Sequence, residues 1–297
     1  MKTLKIILIL LIICGLFGTL FGCSSAEKER IIVGSKDFPE QYVLGNMLRV
    51  LLEENTNFEV VYMDNMASHV IFAAIDTGAV DIYVDYTGTI YGSYLNMSET
   101  LSADEVFYIA SSVLMERNDL LVLDPLGFNN TFALAVRRDT ADLYNLRTIS
   151  DLAAVSSELI FGGSAEIISR YDGLPNLKRV YDMTFKHERV LHDYERYTTL
   201  INDEIQVSEI FSTDAMLVEY DIVVLEDDKE FFPPYYAVVL LRNELAQRHP
   251  ELVELLRKLS GTISDDKMRS LNYKVGVQEE DPSDVAEGFL REINLIN

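Results

Sequence analysis

The stretch Asp81–Leu95 reads DIYVDYTGTIYGSYL and holds four tyrosines. Its first half, residues 80–86, alternates apolar and polar residues, which predicts a β-strand. Thr87-Gly88-Thr89 then interrupts the alternation. In α/β folds, a strand end followed by a glycine turn is where side chains meet a ligand. Tyrosine is also common in ordinary strands, so this stretch alone fits a ligand site or a plain strand.

A second aromatic cluster lies far downstream, in the run FFPPYY at residues 231–236. It directly precedes an apolar segment at residues 237–242 that predicts another strand. Two aromatic clusters at the ends of two strands favour the ligand-site interpretation over the plain one.

Strands and helices are predicted to alternate along the chain. The predicted strands are at residues 31–34, 58–63, 80–86, 120–123, 133–137, 159–163, 207–211, 222–225 and 237–242. The predicted helices are at residues 39–54, 68–77, 103–117, 164–170, 194–201, 244–260, 264–273 and 282–295, and a short helix is predicted to open at residues 148–151. This order predicts an α/β fold with largely parallel sheets. A chain of 297 residues, 48% of them hydrophobic, is more typical of two domains than of one.

The chain is acidic, with a formal net charge of −23 and a pI of about 4.5. Nucleic acid is therefore excluded as a partner, because binding to phosphates needs a basic surface.

The N-terminus carries an export signal. The basic start Met1–Lys5 is followed by the apolar run Ile6–Phe17 and then by Leu20–Cys23. Leu-Phe-Gly-Cys resembles the lipobox of bacterial lipoproteins, although Phe21 is bulkier than usual. The resemblance implies a signal peptide at residues 1–22, a diacylglyceryl group on Cys23 and a polar tether at residues 23–30. A plain secretory signal and an uncleaved anchor are the alternatives.

No catalytic or metal-binding constellation is found in the sequence. The two cysteines are Cys14 and Cys23, so a chain cleaved before Cys23 keeps no thiol beyond the lipidated one. The four histidines lack metal-ligand spacing, and no nucleophile elbow, phosphate loop or dinucleotide motif is present. Neither a cofactor nor a metal is expected. An exported, tethered α/β chain of this kind suggests a solute receptor.

Charged residues at two helix starts are candidates for the polar part of the site. Lys36 is predicted to lie in a strand-to-helix turn, where a lysine is either solvated or placed to meet an anion. Asp37 and Glu40 form the pattern of a capping box. Glu166 and Arg170 are one helical turn apart, and a surface ion pair is the alternative interpretation of that pair.

Six segments, which together span most of the chain in order, resemble the substrate-binding proteins of osmoprotectant ABC importers. They are GSKDFPEQ (34–41), DYTGT (85–89), LGFNNTFAL (126–134), SAEIISRYDG (164–173), FSTD (211–214) and VLEDDKEFFPPY (224–235). Members of that family take up glycine betaine, choline, carnitine or proline betaine.

The resemblance implies a two-lobed periplasmic-binding-protein fold of type II, with two crossover strands and the ligand in the cleft between the lobes. Residues 30–131 and 238–297 would form the first lobe, and residues 132–237 the second. The implied partners are a small quaternary-ammonium ligand, an ABC transporter permease and the membrane, reached through Cys23 on the extracytoplasmic face. A monomer is expected.

The resemblance also implies the residues of the site. The implied aromatic cage is Tyr86, Phe132, Phe211 and Tyr235. The positions implied for the polar or carboxylate end of the ligand are Lys36, Thr89, Arg170, Asn130 and Glu166. A trimethylammonium group has no N–H to donate, so only shape and the negative faces of rings can hold it.

Three departures from the family pattern bear on the choice of ligand. Tyrosine is frequent at the positions of Phe132 and Phe211, and an acidic residue often stands where this chain has Asn130. Glycine betaine is the first expectation, with choline, carnitine and proline betaine next. A receptor for another betaine-like solute such as ergothioneine, or an enzyme that shares the fold, is the alternative. For an enzyme, only Glu166 and His192 are candidates for a general base.

Overall fold

The computed structural model describes residues 28–97, 99, 101–169 and 173–297, without the side chains of residues 166, 193 and 194. The expected signal peptide, Cys23 and Arg170 therefore lie outside the described residues, as does the side chain of Glu166. None of the described helices is both long enough and apolar enough to cross a bilayer.

The strands and helices alternate as the sequence predicts, but the strand at residues 187–190 and the helices at residues 138–144, 174–181 and 216–219 are not among the predicted elements. The described strands are β1 (Arg30–Lys36), β2 (Glu59–Met66), β3 (Ile82–Tyr86), β4 (Leu120–Val122), β5 (Phe132–Arg137), β6 (Ile160–Gly163), β7 (His187–Val190), β8 (Val207–Phe211), β9 (Ile222–Leu225) and β10 (Ala237–Arg242). The described α-helices are α1 (Pro39–Asn55), α2 (Ser68–Asp76), α3 (Thr87–Thr89), α4 (Ala103–Asn118), α5 (Arg138–Tyr144), α6 (Ile149–Val155), α7 (Ala165–Ser169), α8 (Leu174–Tyr181), α9 (Asp193–Ile201), α10 (Met216–Glu219), α11 (Asn243–Arg248), α12 (Pro250–Arg257), α13 (Asp265–Gly276) and α14 (Pro282–Glu292).

The strands form two five-stranded sheets, one in each lobe. The first has the order β2-β1-β3-β10-β4, and the second has the order β7-β6-β8-β5-β9. The chain leaves the first sheet after β4 through residues 123–131, the first crossover, and returns after β9 through residues 226–236, the second crossover. Each crossover delivers a strand, β5 or β10, that runs antiparallel to its neighbours in the new sheet. Two of the four strand pairings in each sheet are therefore antiparallel, and the prediction of largely parallel sheets is wrong. The two sheets and two crossovers form the two-lobed α/β fold expected from the resemblance.

The two crossovers are hydrogen-bonded to each other. The N–H of Asn130 donates to the carbonyl of Tyr235 at 3.0 Å, and the N–H of Tyr235 donates to the side-chain oxygen of Asn129 at 2.7 Å. The hydroxyl of Thr131 donates to the carbonyl of Pro233 at 2.9 Å. The connection between the lobes is therefore a short two-stranded ribbon.

Each lobe has its own hydrophobic core. In the first lobe, Leu44, Leu48 and Leu51 of α1 are buried against the sheet. In the second lobe, Phe161 and Leu177 belong to a separate buried cluster. Because the cores are separate, the surface between the lobes is available for a cavity.

The capping box expected from Asp37 and Glu40 is wrong. Helix α1 begins at Pro39, its N-cap is Phe38 in an extended conformation, and no side chain caps it. Proline already suits the first helical position because it has no N–H to satisfy. The Glu40 side chain faces the cavity between the lobes instead.

Two further elements differ from the predictions. The helix expected over residues 244–260 is two helices, α11 and α12, because Pro250 lacks an N–H and disfavours helical geometry at His249. The turn expected after β3 is the helical turn α3, followed by a π-helix at Ile90–Tyr94.

Candidate functional site

A cavity of about 480 Å³ lies between the lobes. This volume suits a small organic ligand. Its walls come from both lobes and from both crossovers. They include Lys36, Glu40, Tyr86, Asn130, Phe132, Arg196, Phe211 and Tyr235.

Six of the described aromatic side chains line this cavity: Phe38, Tyr86, Phe132, Tyr197, Phe211 and Tyr235. The four expected cage rings are among them. Tyr86 ends β3 and is buried, and Tyr235 lies near the end of the second crossover. Phe132 and Phe211 are register partners on the neighbouring strands β5 and β8, with ring centroids 4.9 Å apart. Since strand ends and crossovers meet at the cleft, residues far apart in sequence present rings to one space.

Gly88 explains how Tyr235 approaches the first lobe. A Cβ atom at position 88 would lie 2.8 Å from the ring of Tyr235 and 2.8 Å from the carbonyl oxygen of Pro234. Any larger residue would push the second crossover away from α3. The glycine in the tyrosine-rich stretch is therefore needed for close packing of the ring.

Lys36 is buried and forms an ion pair with Asp85. Asp85 also accepts hydrogen bonds from the hydroxyls of Tyr83, at 2.7 Å, and Tyr94, at 2.9 Å. Burial, followed by the charge of Asp85, raises the pKa of both tyrosines. The ammonium of Lys36 lies 5.2 Å from the centre of the Tyr86 ring. Of the tyrosines in the stretch Asp81–Leu95, Tyr83 and Tyr94 thus donate hydrogen bonds to the buried ion pair, and Tyr86 lines the cavity.

The second lobe contains a comparable arrangement. Arg196 of α9 and Glu209 of β8 are both buried, and Nη1 of Arg196 lies 3.2 Å from Oε2 of Glu209. Glu209 also accepts from the N–H of Ser164, at 2.5 Å, and from its hydroxyl, at 3.1 Å. Burial raises the pKa of Glu209, and Arg196 opposes that rise. The guanidinium carbon of Arg196 is 5.8 Å from the centre of the Phe211 ring.

Glu40 is the third buried carboxylate of the described residues, after Asp85 and Glu209, and 3% of its surface is exposed. Of these three, it is the one that lines the cavity. It accepts from the Tyr86 hydroxyl at 2.6 Å, from Nδ2 of Asn130 at 2.9 Å and from Nδ2 of Asn272 at 2.8 Å. Burial raises the pKa of Glu40, and hydrogen bonds from its neutral neighbours, Thr213 among them, lower it by less.

Most of the expected site residues lie together. The seven whose side chains are described all line the cavity: Tyr86, Phe132, Phe211, Tyr235, Lys36, Thr89 and Asn130. Of the other two, Arg170 is not described and Glu166 is described without its side chain. Their part in the site stays a prediction.

Sequence reasoning missed Glu40 as a site residue, as well as Arg196 and Asn272. Glu40 stands inside the matched segment GSKDFPEQ, so a signal was present, but it was interpreted as a helix cap. Nothing in the local sequence around Arg196 or Asn272 indicates a site. Only the folded chain brings them to the cavity.

The family profile described as the substrate binding domain of ABC-type glycine betaine transport systems matches residues 29–292. The chain belongs to this family. The match covers both sheets and both crossovers, so the cavity is built entirely from the family domain.

Individual relatives agree with the family. The chain is 34% identical over 276 residues to the carnitine transport binding protein OpuCC of Listeria monocytogenes serotype 1/2a (strain 10403S), covering 92% of this chain and 90% of that protein. It is also 34% identical over 276 residues to the ergothioneine transport permease/ergothioneine binding protein EgtU of Helicobacter pylori (strain G27). There it covers 92% of this chain but spans only 49% of the relative.

A solved structure has the same fold. The crystal structure of a glycine betaine/carnitine/choline ABC transporter protein superimposes with a TM-score of 0.84 at 31% identity, covering 90% of this chain and 100% of that one. Within the described residues of this family member, no group of histidine, cysteine, aspartate and glutamate side chains is arranged to hold a metal ion.

Proposed function

We propose that this chain is the receptor of an ABC importer and binds a quaternary-ammonium osmoprotectant, with glycine betaine first and choline, carnitine or proline betaine next. One observation carries the proposal: six of the described aromatic side chains, the four expected cage rings among them, come from both lobes and a crossover and line a single cavity. Each ring face attracts a cation by about 0.5–2 kcal/mol, and attraction of this kind needs no donor on the ligand. The role proposed is that of a receptor and not of an enzyme.

The charges around the cavity support a cationic ligand. Two described cations at the cavity are outnumbered by four described carboxylates that line it or pair with those cations. The cations are Lys36 and Arg196, and the carboxylates are Glu40, Asp214, Asp85 and Glu209. Counted at full ionisation, this set has a charge of −2, and a low-dielectric cleft strengthens its attraction for a cation.

Isothermal titration calorimetry with glycine betaine, choline, carnitine, proline betaine and ergothioneine tests the proposal. We expect at least one of the first four to bind, and mass spectrometry should recover that ligand unaltered from the complex. Binding of ergothioneine alone would favour the second candidate, to which the similarity to the Helicobacter pylori protein points. Failure of all five ligands, or recovery of a chemically changed ligand, would contradict the proposal.

The ligand's carboxylate end is assigned to Lys36, Thr89 and Arg170, with Asn130 and Glu166 completing the polar part. Arg170→Ala should weaken glycine betaine binding by about 2–4 kcal/mol, because it removes the charged group proposed to meet the carboxylate of the ligand. Choline carries a hydroxyl in place of the carboxylate and should lose much less. Calorimetry with both ligands measures the two losses.

Arg138→Ala is the matched control, because Arg138 is an exposed second-lobe arginine in a surface ion pair with Asp221. It should leave both affinities unchanged. Equal losses for glycine betaine and choline in Arg170→Ala would instead assign Arg170 to the support of its own helix.

We propose that Cys23 carries a lipid anchor on the extracytoplasmic face and that the receptor works there as a monomer with a permease. Cys23→Ser should release the protein from the membrane, because each buried CH₂ of a lipid chain contributes about 0.8 kcal/mol. Membrane fractionation and the mass of the mature protein measure this. Unchanged membrane association together with an unchanged mass would exclude the anchor.

A further inference from the structure

Glu40 lines the cavity itself and differs in its partners from the two buried carboxylates that pair with the cations of the cavity wall. Asp85 is paired with Lys36, and Glu209 is paired with Arg196. Among the ion pairs of the described residues, none involves Glu40. Its neighbours are neutral donors, so the negative charge of an ionised Glu40 is not cancelled by these neighbours.

The neutral donors come from four separate parts of the fold. Tyr86 is the last residue of β3, and Asn130 belongs to the first crossover. Asn272 belongs to α13, and Thr213 follows β8 in the second lobe. A carboxylate held by this many donors keeps its orientation and has its hydrogen-bonding capacity filled. What it still offers a ligand is charge.

Charge is also what a quaternary ammonium can use, because it has no N–H to donate. We propose that Glu40 is the counter-charge for the ammonium end of the ligand and determines the preference of the cavity for cations. The proposal rests on the proposed function. It adds a negatively charged residue to a binding site whose four proposed cage residues are all uncharged.

The hydrogen bond from Tyr86 joins this charge to the cage. The Tyr86 hydroxyl donates to Glu40 at 2.6 Å, and the same residue presents its ring to the cavity. Hydrogen bonds to an ionised acceptor polarise the donor group, so electron density in the phenol ring increases. A more negative ring face attracts a cation more strongly.

Glu40 is also connected to the second lobe. Nδ2 of Asn272 lies 2.8 Å from Oε2 of Glu40 and 2.8 Å from the carbonyl oxygen of Thr213. The amide thus bridges the carboxylate in the first lobe and a backbone oxygen in the second. The hydrogen bond from Asn272 to Thr213 requires the two lobes to be close together. A closed cleft therefore holds the Asn272 amide, and with it the Glu40 carboxylate, in one position.

The proposal has a consequence for the pH dependence of binding. Burial raises the pKa of Glu40 above its usual value, and a bound cation would lower it again. Binding should therefore release a proton, and the affinity should rise as the pH rises through the raised pKa. The titratable and charged groups around it are Tyr86 beside it, the Lys36–Asp85 pair on β1 and β3, and Arg196 with Asp214 on the opposite wall.

The test compares wild type with Glu40→Gln by titration with choline at several pH values between 4 and 8. Choline is chosen because it has no carboxylate of its own to titrate. The wild-type affinity should increase with pH, whereas the variant should bind at least tenfold more weakly at pH 7 with a flatter profile. Wild-type affinity and an unchanged pH profile in the variant would overturn the proposal.

Asn272→Ala is the matched control, because it removes one hydrogen bond to Glu40 and leaves the charge. It should keep the wild-type slope with pH even where its affinity is lower. A purely structural role of Glu40 predicts that both variants lose affinity and keep the wild-type slope, and that result also overturns the proposal.

A second measurement needs no variant and applies if Glu40→Gln fails to fold. Wild-type calorimetry in two buffers of different ionisation enthalpy should show proton release on choline binding, and binding without proton release across the range would overturn the proposal. If the wild type rejects choline, glycine betaine replaces it in both experiments. A wild type that binds none of the quaternary ammonium ligands contradicts the proposed function instead, so the two failures are distinguishable.

Discussion

Replacing Asp85 with alanine is expected to lower the free energy of unfolding by about 3–5 kcal/mol, because it leaves the charge of a buried lysine without its carboxylate. The Asp85 side chain is fully buried, and 4% of the Lys36 side chain is exposed. The substitution also removes the acceptor for the hydroxyls of Tyr83 and Tyr94. Equilibrium unfolding in urea, followed by circular dichroism, measures the loss.

Two comparisons show whether the buried charge is the cause. The double variant Asp85→Ala/Lys36→Met should recover part of the stability, because no buried ion then remains. Asp221→Ala removes one partner of the exposed Arg138–Asp221 pair and should cost less than about 1 kcal/mol. A double variant as unstable as Asp85→Ala would assign the loss to packing and hydrogen bonds rather than to Lys36.

Glu209→Ala is expected to cost a similar amount, about 3–5 kcal/mol, in the second lobe. It removes the carboxylate 3.2 Å from the buried Arg196 and the acceptor of both the N–H and the hydroxyl of Ser164. Because Arg196 lines the cavity and lies against Phe211, ligand affinity should fall together with stability. Urea unfolding and calorimetry on the same preparation measure both quantities.

Arg137→Ala is a control for this prediction, because Arg137 pairs at the surface of the same lobe with Asp139 and Asp203, which are more than half exposed. It should leave ligand affinity unchanged and cost less stability than Glu209→Ala. If Glu209→Ala lowers stability but leaves ligand affinity at the wild-type value, then Arg196 has no part in binding.

The fold was largely predictable from the sequence because its main signals are local. Alternation in β3 and apolar runs in β5 and β10 indicate strands within a few residues of their ends. The order of these elements, together with the matched segments, indicates two lobes. The break between α11 and α12 was missed, although the sequence contains its signal, because Pro250 cannot continue a helix without losing a hydrogen bond.

The location of the proposed cage residues was predictable for a different reason. Tyr86, Phe132 and Phe211 stand at strand ends in segments that resemble a family, so the resemblance assigns them to the cavity position by position, and all three line it. Their role in binding stays a prediction. The polar support of the cage was not predictable. Glu40 meets Asn272 across 232 residues of sequence, and no local pattern indicates contact at that distance. Pairing of this kind follows from how α13 packs against α1, which periodicity does not determine.

The ribbon formed by the two crossovers has a mechanical consequence. Two independent connections would give the lobes two joints, each able to bend in its own direction. The hydrogen bonds from Asn130 to Tyr235 and from Tyr235 to Asn129 merge these into one joint with one main degree of freedom. Opening and closing are then expected to follow a single exponential, with one rate in each direction. Phe132 directly follows this joint in the second lobe, so opening at the joint would move its ring away from the ring of Tyr86 in the first lobe. A permease that moved one lobe relative to the other would therefore weaken ligand binding without contacting the ligand.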